Sequence, residues 1–482
     1  VLAQQLGWTS AQGRQPYDPI SLFLLTGWQI TNGWSRAQLL RNLRRPRYAD
    51  YAQRFGFEPG VFPSEGGLRY FLTTLGRNSD AEGATVTVEQ EDQHLPVGIE
   101  ALNQLIIQSV GLIRAAGLLS DQAWQAALLC PDGQLHDAAS RQRCSAVTDS
   151  CYQPLEAGQP RPCPAKQKGQ PGCDCDTHHC HLHCRQATPR DAEARFVWHE
   201  RSNQNEKDEH ADQARQGEPH YGYCSLPLQL TDPTRRFSIT LLSDLLPANQ
   251  REEVPAAALL LQLQTAYPDL VVDSVAGDAA YGYQSFLHTV YRHLSARRVV
   301  DLRRHATDRD RLLWPTRGYD DRGRPICPYG YPFAANGFDA QHQRHKWICR
   351  QACLRGIEPR VQLPDVDYPP AACPFQDPQH PHGQVINIAE RFPDGSIRLV
   401  RDLPVGTPAW KRLYHRGRNA VEGRNAVLEG WGFKRLPVYG LARVKALLFQ
   451  ADVWANLCTL ARLVPSGTHW IPREATLARH TT

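Results

Sequence analysis

Long apolar runs are missing from this sequence of 482 residues. No stretch approaches the roughly 20 consecutive apolar residues that a membrane-spanning helix needs, so we expect no contact with a membrane. The first residues, VLAQQLGWTSAQGRQ, lack the charged segment and apolar core of a secretory signal. These two absences predict a cytoplasmic protein. Methionine is absent altogether, and we have no physical account of that.

A strong imbalance of charge is also missing. The 54 Lys and Arg residues against 49 Asp and Glu give a net charge of only +5, which does not by itself indicate a nucleic-acid partner. Local clustering is more informative, because arginine binds phosphate through a bidentate fork. Ordinary solvated surface is the alternative explanation of such clusters. Three basic patches stand out: Arg36, Arg41, Arg44, Arg45, Arg47 and Arg54; Arg297, Arg298, Arg303, Arg304, Arg309 and Arg311; and Lys411, Arg412, Arg416, Arg418, Arg424, Lys434 and Arg435.

The chain has 14 cysteines but no secretory signal, which favours metal ligands or free thiols over disulfides. Zinc prefers four sulfur or nitrogen ligands in a tetrahedron, often presented as close pairs. Neither cluster has a CxxC…CxxC pattern, so free thiols in a loop remain the alternative. The candidate zinc ligands are Cys163, Cys173, Cys175, Cys180 and Cys184 with His178, His179, His181 and His183 in the first cluster, and Cys327, Cys349, Cys353 and Cys373 in the second.

The order of predicted elements indicates an α/β protein with a mixed sheet flanked by helices. Residues 1–122 are predicted to form a helical N-terminal domain, a candidate DNA-binding region, with helices continuing through residues 95–128. Residues 123–305 form the first part of the α/β domain, with a Cys- and His-rich insertion at about 144–184. Residues 306–405 are predicted to be a second, irregular insertion that contains the second cysteine cluster. Residues 406–482 supply two helices that complete the α/β domain.

Three acids occupy positions suited to a shared site. Asp132 and Asp278 each end a predicted strand, and Glu422 lies on a predicted helix. Strand ends meet at one edge of a sheet, where a helix can add a third carboxylate. Hard oxygen ligands of this kind bind Mg²⁺, and a pair of such ions can act on a phosphodiester. The plainer alternatives are a helix cap at Asp278 and a surface pair between Arg418 and Glu422.

The blocks around these acids resemble a known family, the DDE transposases of bacterial insertion sequences. LLCPDGQLHDAAS is similar to the strand that carries their first aspartate, and DSVAGDAAYGYQSF to their second-aspartate block. YHRGRNAVEGRNAVLEGWGFKRLPVYGLARVK resembles the block that carries the glutamate, and GRQPYDPISLFLLTGWQITNGWSRAQLLRNLRR their helical N-terminal segment. The resemblance covers most of the chain and implies a ribonuclease H-like catalytic domain.

The resemblance implies DNA cleavage at element ends and joining of the 3′-OH to target DNA. Mg²⁺ or Mn²⁺ would be bound by Asp132, Asp278 and Glu422, and the small residues beside Asp278 would leave room for metal and DNA phosphate. DNA phosphate would be bound by Arg418 and Tyr414. The partners would be the DNA ends and the target DNA, bound by a homodimer, and the protein would be associated with the nucleoid. The insertion before the glutamate would contact DNA ends.

Several positions depart from the family pattern. Gln134 stands where a threonine is common, and the spacing from Tyr414 to Arg418 is off by one. Glu429 stands where the family has a phosphate-binding lysine, so Lys434 or Arg435 would have to take over that role. Asp191 is a rival first aspartate. Two alternatives therefore stay open: an inactive transposase relic that only binds DNA, and a ribonuclease H-like nuclease without strand transfer.

Overall fold

The computed structural model describes residues 17–58, 60–78, 84–90, 93–139, 191, 193–199, 218–301, 316, 317, 320, 322, 324–342, 344–356, 360–363, 373, 382–389, 403, 405 and 407–464. Within these ranges, no helix has the length and apolar character needed to cross a membrane. The cysteines and histidines between Cys163 and Cys184 lie outside the described residues, as do Arg303, Arg304, Arg309 and Arg311 of the second basic patch.

The described part of the chain opens with helices that are capped by the side chain of the residue before each of them. Asp18 accepts a hydrogen bond from the backbone of Ser21, and Ser35 forms a capping box with Gln38. The elements before the main sheet are α1 (Pro19–Thr31), α2 (Arg36–Leu43), α3 (Ala49–Arg54), α4 (Glu65–Asn78), β1 (Thr85–Gln90), β2 (Gln93–Gly98), α5 (Asn103–Ala115) and α6 (Asp121–Gln125).

The N-terminal region is not wholly helical, contrary to the sequence prediction. Strands β1 and β2 form an antiparallel hairpin in a part of the chain assigned to helices. The segment TVTVEQ alternates valine with polar residues over its first positions, which is typical of a half-buried strand. Among the described side chains of this segment only Val88 is fully buried, because the hairpin packs against the helices Glu253–Ala266 and Gln284–His288 rather than around a core of its own.

A seven-stranded mixed sheet forms the centre of the molecule. Its strands run in the order β7-β6-β3-β8-β9. Strand β6 is antiparallel to β3 and β7, while β8 is parallel to both β3 and β9; β4 and β5 pair with the first part of β6. The strands are β3 (Ala127–Pro131), β4 (Gln134–Asp137), β5 (Arg195–His199), β6 (Glu218–Asp232), β7 (Phe237–Pro247), β8 (Val272–Gly277) and β9 (Arg297–Val300). The expected mixed sheet with flanking helices is therefore confirmed.

Helices cover both faces of this sheet, so its central strands are apolar on both sides. In β3, Leu128 and Cys130 join the hydrophobic cluster that contains Val421, whereas Ala127 and Leu129 join the opposite cluster with Leu260. The covering elements are α7 (Glu253–Ala266), α8 (Gln284–His288), α10 (Pro408–Gly430) and α11 (Leu441–Leu463).

The second insertion is partly ordered into a sheet, so the prediction of an irregular segment is wrong for its described part. Strands β10 (Ala334–Asp339), β11 (Arg344–Ile348) and β12 (Val385–Ala389) pair in antiparallel order, and the short helix α9 (Ala352–Arg355) follows β11. The pattern was hard to recognise in the sequence, because these strands are largely exposed or half-buried and lack clear hydrophobic alternation.

The N-terminal helices share their hydrophobic core with the last helix of the chain. One continuous cluster joins Leu25 of α1 and Phe71 of α4 to Leu448 of α11. The carbonyl of Ala442 lies so close to Gly76 that a Cβ there would be 1.7 Å from it. Helices α4 and α11 thus pack backbone to backbone, and α11 links the N-terminal helices to the edge strand β7.

A second close approach places α10 on the main sheet. A Cβ at Gly417 would lie 2.6 Å from Cβ of Ala276 and 3.4 Å from Cβ of Cys130. The small residue Ala276 therefore makes room for a helix, and Gly277 makes room for the ring of Tyr281, 3.1 Å from its hypothetical Cβ. Our interpretation of these small residues as clearance for metal and phosphate is corrected accordingly.

We predict that Gly417→Ala lowers the free energy of unfolding by about 1–3 kcal/mol, because the added methyl group overpacks the contact with Ala276. Gly423 lies on the same helix with nothing within 4 Å of a hypothetical Cβ, so Gly423→Ala is the matched control. It should be neutral or stabilise by up to about 1 kcal/mol. Denaturant unfolding of the two variants checks this, and equal effects would contradict the close approach.

Candidate active site

Asp132 and Asp278 lie at the same height on neighbouring parallel strands. The register pairs Leu129 of β3 with Val275 of β8, and each aspartate follows three residues later. Their strands end at Pro131 and Gly277. The carboxyl ends of adjacent parallel strands meet at one edge of a sheet. The fold therefore brings the two predicted aspartates together.

Helix α10 places Glu422 and Arg418 over this edge. Thr407 caps the helix through the backbone of Trp410, and Pro408 occupies its first turn. Residues four apart share one helix face, so Arg418 and Glu422 point to the same side. Arg418 Nη1 is 2.7 Å from Asp132 Oδ1, and Arg418 Nη2 is 4.0 Å from Glu422 Oε1. One guanidinium thus lies between an acid of the sheet and an acid of the helix.

Tyr414 lies one turn before Arg418 on the same helix face. Its ring stacks on Trp410 with centroids 4.3 Å apart and an interplanar angle of 16°. Burial raises its pKa, and the charges of Asp301 and Asp278 raise it further. Tyr414 is therefore next to the acidic edge of the sheet, where its hydroxyl stays protonated.

The acids of the site act on each other through their charges. Asp132 is only 8% exposed. Burial raises its pKa to about 7; Arg418 opposes this shift, and the charges of Asp278 and Glu252 add to it. Burial acts to lower the pKa of Arg418, but Asp132 outweighs it and the pKa is raised. The site has more negative charge than its arginine balances.

Two further acids belong to this region and were missed in the sequence. Asp301 directly follows β9, and its backbone N–H donates to Gly277. Glu252 precedes α7 and accepts hydrogen bonds from Gly133 N at 3.0 Å and from the Tyr281 hydroxyl at 2.6 Å. The strand-end position of Asp301 was a usable signal, since Asp132 and Asp278 were found that way. Glu252 has no such local signal.

Asp191, the rival first aspartate, lies elsewhere. It is fully buried, and it accepts a hydrogen bond from the Tyr223 hydroxyl while its carbonyl accepts one from Tyr221. Burial raises its pKa, with opposing hydrogen bonds from Tyr223 and from the backbone of Gly440. These partners are structural, and none of them belongs to the group around Asp132.

Gln134, the departure from the family pattern, takes part in a buried polar network behind the site. Its Oε1 accepts a hydrogen bond from Arg424 Nη1 at 2.8 Å, and Arg424 Nε lies 2.9 Å from Asp452 Oδ1. The same arginine donates to Ser225 Oγ at 3.1 Å. A glutamine fits here because it accepts from a buried arginine that joins β4, β6, α10 and α11.

Burial corrects the assignment of two basic residues to phosphate-binding patches. Arg424 is 4% exposed and Arg298 is 1% exposed, with its guanidinium 4.7 Å from the centre of the Tyr291 ring. Neither is available to DNA. Other members of the first and third patches are on the surface: Arg41, Arg44, Arg45, Arg47, Arg54, Arg412, Arg416, Lys434 and Arg435 are exposed.

Lys434 and Arg435 follow α10 and lie along β4 rather than at the acidic edge. Lys434 O accepts a hydrogen bond from Asp137 N, and Leu436 N donates to Asp137 O. Glu429 is exposed at the end of α10. These backbone contacts hold the segment of Lys434 and Arg435 beside Asp137, the last residue of β4.

The donor set suits a hard divalent cation. Asp132, Asp278 and Glu422 provide carboxylate oxygens, which Mg²⁺ and Mn²⁺ prefer. The charges of all three acids act on the buried thiol of Cys130, whose pKa is raised first by burial and then by Asp132, Asp278 and Glu422. As the side chains stand, no group of three or more His, Cys, Asp or Glu in the described ranges is arranged to hold a metal ion. Two effects keep the side chains of these acids apart. The acids repel one another, and the guanidinium of Arg418 lies between Asp132 and Glu422.

The second cysteine cluster converges on one small cavity of about 30 Å³. Cys327, Cys349, Cys353 and Cys373 all line it, and none of them forms a disulfide. Burial raises the pKa of Cys327 to about 12, with Cys349 and Cys373 adding to the shift. Gln351 N donates to Cys349 Sγ at 3.4 Å. Zinc at these cysteines stays a prediction, because the four sulfurs do not form a metal-binding group as described.

The sequence matches none of the models of known protein families with which it was compared, and none of the curated proteins.

We predict that acid destabilises the protein through His136. This side chain is fully buried, with Nδ1 2.7 Å from Phe433 O and Nε2 2.8 Å from Ser225 Oγ. Burial lowers its pKa to about 3; the Phe433 carbonyl opposes this, and Arg424 adds to it. Below about pH 6.5 the unfolded chain binds a proton that the folded chain does not, so stability falls as the pH falls towards 3.

The measurement is the free energy of unfolding between pH 6.5 and 4, for the parent and for His136→Gln. The histidine contributes a slope of at most about 1.4 kcal/mol per pH unit. The variant should lose that part of the slope. Identical slopes would mean that His136 does not act in this way.

We predict about one zinc ion per chain at the second cysteine cluster. The three-stranded sheet has few buried apolar residues, and a small unit of that kind needs a metal or disulfide to be stable. Elemental analysis of protein purified without chelator should find the zinc, and Cys349→Ser should lose it. Cys458 lies on α11, away from the cavity, so Cys458→Ser is the matched control. A parent chain free of zinc would refute the prediction.

Proposed function

We propose that this protein is a DDE transposase with a ribonuclease H-like catalytic domain. It would cleave DNA at the ends of an insertion sequence and join the 3′-OH to target DNA. The observation that carries the proposal is the position of Arg418 between Asp132 and Glu422, at the edge of the sheet where the strand before Asp278 also ends. These residues come from three distant segments, and the resemblance named the same four.

The position of each residue supports this role. The two aspartates directly follow the last residues of adjacent strands, so rigid elements anchor their backbones on one side. Glu422 is exposed on α10, where a duplex can approach it. Catalytic groups commonly lie where strand ends form a crevice. An ordinary structural role explains a single capping acid, but not a poorly balanced group of acids in which Asp132 is buried and has a raised pKa.

Divalent cations bound at this edge would supply activation of the attacking oxygen and stabilisation of the leaving oxygen of a phosphodiester. Asp132, Asp278 and Glu422 would hold them through carboxylate oxygens. Arg418 presents a planar fork that suits two oxygens of one phosphate. Tyr414, one turn earlier, stacks on Trp410.

Basic residues near the site support a DNA substrate. Lys434 and Arg435 are exposed beside β4, the strand that follows Asp132 in the chain. The exposed arginines of α2 and α3, such as Arg41 and Arg54, form a second cationic surface on the N-terminal helices. Contacts of this kind add affinity without reading sequence.

We predict that Asp278→Ala and Glu422→Gln each lower Mg²⁺-dependent cleavage by more than about 100-fold, beyond the loss typical of residues behind metal ligands. DNA binding should stay within a few-fold of the parent, since the arginines are unchanged. The substrate is DNA from either side of the protein's own coding region. Glu429→Gln is the matched control: Glu429 is exposed on the same helix but remote from the strand ends, so cleavage should be unchanged.

Different results would support the alternatives. Cleavage by the parent without strand transfer would favour a ribonuclease H-like nuclease. Salt-dependent DNA binding with no cleavage would favour an inactive relic. Cleavage at the parent rate by either Asp278→Ala or Glu422→Gln would show that the assigned residues are wrong.

A further inference from the structure

We propose that Glu252 is a positioning residue that ties together the two strand ends carrying Asp132 and Asp278. The inference rests on the proposed function of those aspartates as cation ligands. Glu252 precedes α7 on the loop from β7, and its sequence neighbourhood gives no sign of such a role. The hydrogen bonds of its carboxylate carry the proposal.

One oxygen of Glu252 joins both strand ends. Its Oε2 accepts a hydrogen bond from the backbone N–H of Gly133 at 3.0 Å and from the hydroxyl of Tyr281 at 2.6 Å. Gly133 directly follows Asp132, and Tyr281 ends the short 3-10 turn that Asp278 caps. The two donors therefore come from the chain immediately beyond each aspartate.

The surroundings of Glu252 are built for this contact. A Cβ at Gly133 would lie 2.1 Å from Glu252 Oε1 and 2.7 Å from Cys224 Sγ, so only glycine admits the carboxylate. The Cys224 thiol is 3.6 Å from Oε1. Tyr281 is fully buried and has little freedom to leave. The carboxylate is thus held from β3, β6 and β8 at once.

Positioning is needed here because the acids of the site repel one another. Asp132 and Asp278 must be kept close to bind a cation together, although repulsion favours a wider separation. Glu252 resists that separation because it accepts hydrogen bonds both from the backbone after β3 and from the turn after β8. Residues that orient metal ligands in this way typically change metal affinity or activity by 10–100-fold when removed.

The experiment measures Mn²⁺ binding by the full chain, using electron paramagnetic resonance to count free Mn²⁺. We expect Glu252→Ala to weaken binding about 10–100-fold and Tyr281→Phe to weaken it less, since one hydrogen bond remains. Glu252→Gln keeps an oxygen that accepts from Gly133 and Tyr281, so it should bind within about threefold of the parent. Asp132→Asn removes a proposed cation ligand, so the Mn²⁺ binding that this variant loses is the binding at the site.

Glu253→Ala is the matched control. Glu253 is the next residue and is 4% exposed, with Arg251 Nη1 3.7 Å from its Oε1. Glu253→Ala removes a buried carboxylate, so the variant protein should be less thermally stable than the parent but bind Mn²⁺ with the same affinity. A general loss of structure would weaken binding in both alanine variants, which would overturn the proposal.

Other outcomes separate this proposal from the proposed function. Equal Mn²⁺ affinity in Glu252→Ala and the parent would overturn the positioning role while the transposase proposal stands. Equal weakening by Glu252→Gln and Glu252→Ala would also overturn it, because the charge and not the hydrogen bonds would then matter. Specific Mn²⁺ binding with the expected order of variants, in a protein that cuts no DNA, would support positioning and refute the transposase. A parent chain that binds no Mn²⁺ would overturn both.

Discussion

The close packing of α10 against β3 and β8 is the constraint on which the candidate site depends. Gly417 brings the helix backbone to within one methyl group of Ala276. Arg418 is the next residue, and Glu422 lies one turn further along. A larger side chain at either contact position would move the helix outwards and separate its acid from the two strand ends. The small residues before Asp278 therefore serve the site indirectly, by setting the height of a helix above the sheet.

The short distance between α10 and the sheet brings together like charges that repel one another. Asp132 is almost fully buried and has a raised pKa, and the nearby acids add negative charge to its surroundings. Arg418 offsets only part of this charge. An arrangement of this kind does not favour stability by itself, since like charges in a buried site repel. It fits the cation binding that we propose, because local rules of stability are commonly broken at functional sites.

A polar network behind the site compensates structurally. Arg424 is buried with Asp452 at 2.9 Å and also bonds Gln134 and Ser225, so most of its donors are satisfied at the junction of β4, β6, α10 and α11. The loss of one partner from such a buried pair is much more costly than the loss of a surface pair. His136 adds a neutral bridge from β4 to the segment after α10. Together they fix the helix that carries Arg418 and Glu422.

The sequence by itself determined the strands that end at Asp132 and Asp278, the helix that carries Glu422, and the flanked mixed sheet. These features have local causes: continuous apolar strands, a Thr-Pro helix start and regular spacing of apolar residues. Only the tertiary structure decided that Arg424 and Arg298 are buried, that residues 85–98 form a hairpin, and that Glu252 lies behind both strand ends. Gly133 and Glu252 are distant in sequence, and nothing near either one encodes their hydrogen bond. Burial and pairing of that kind depend on which surfaces meet when the whole chain packs, and a single sequence does not contain that information in a local pattern.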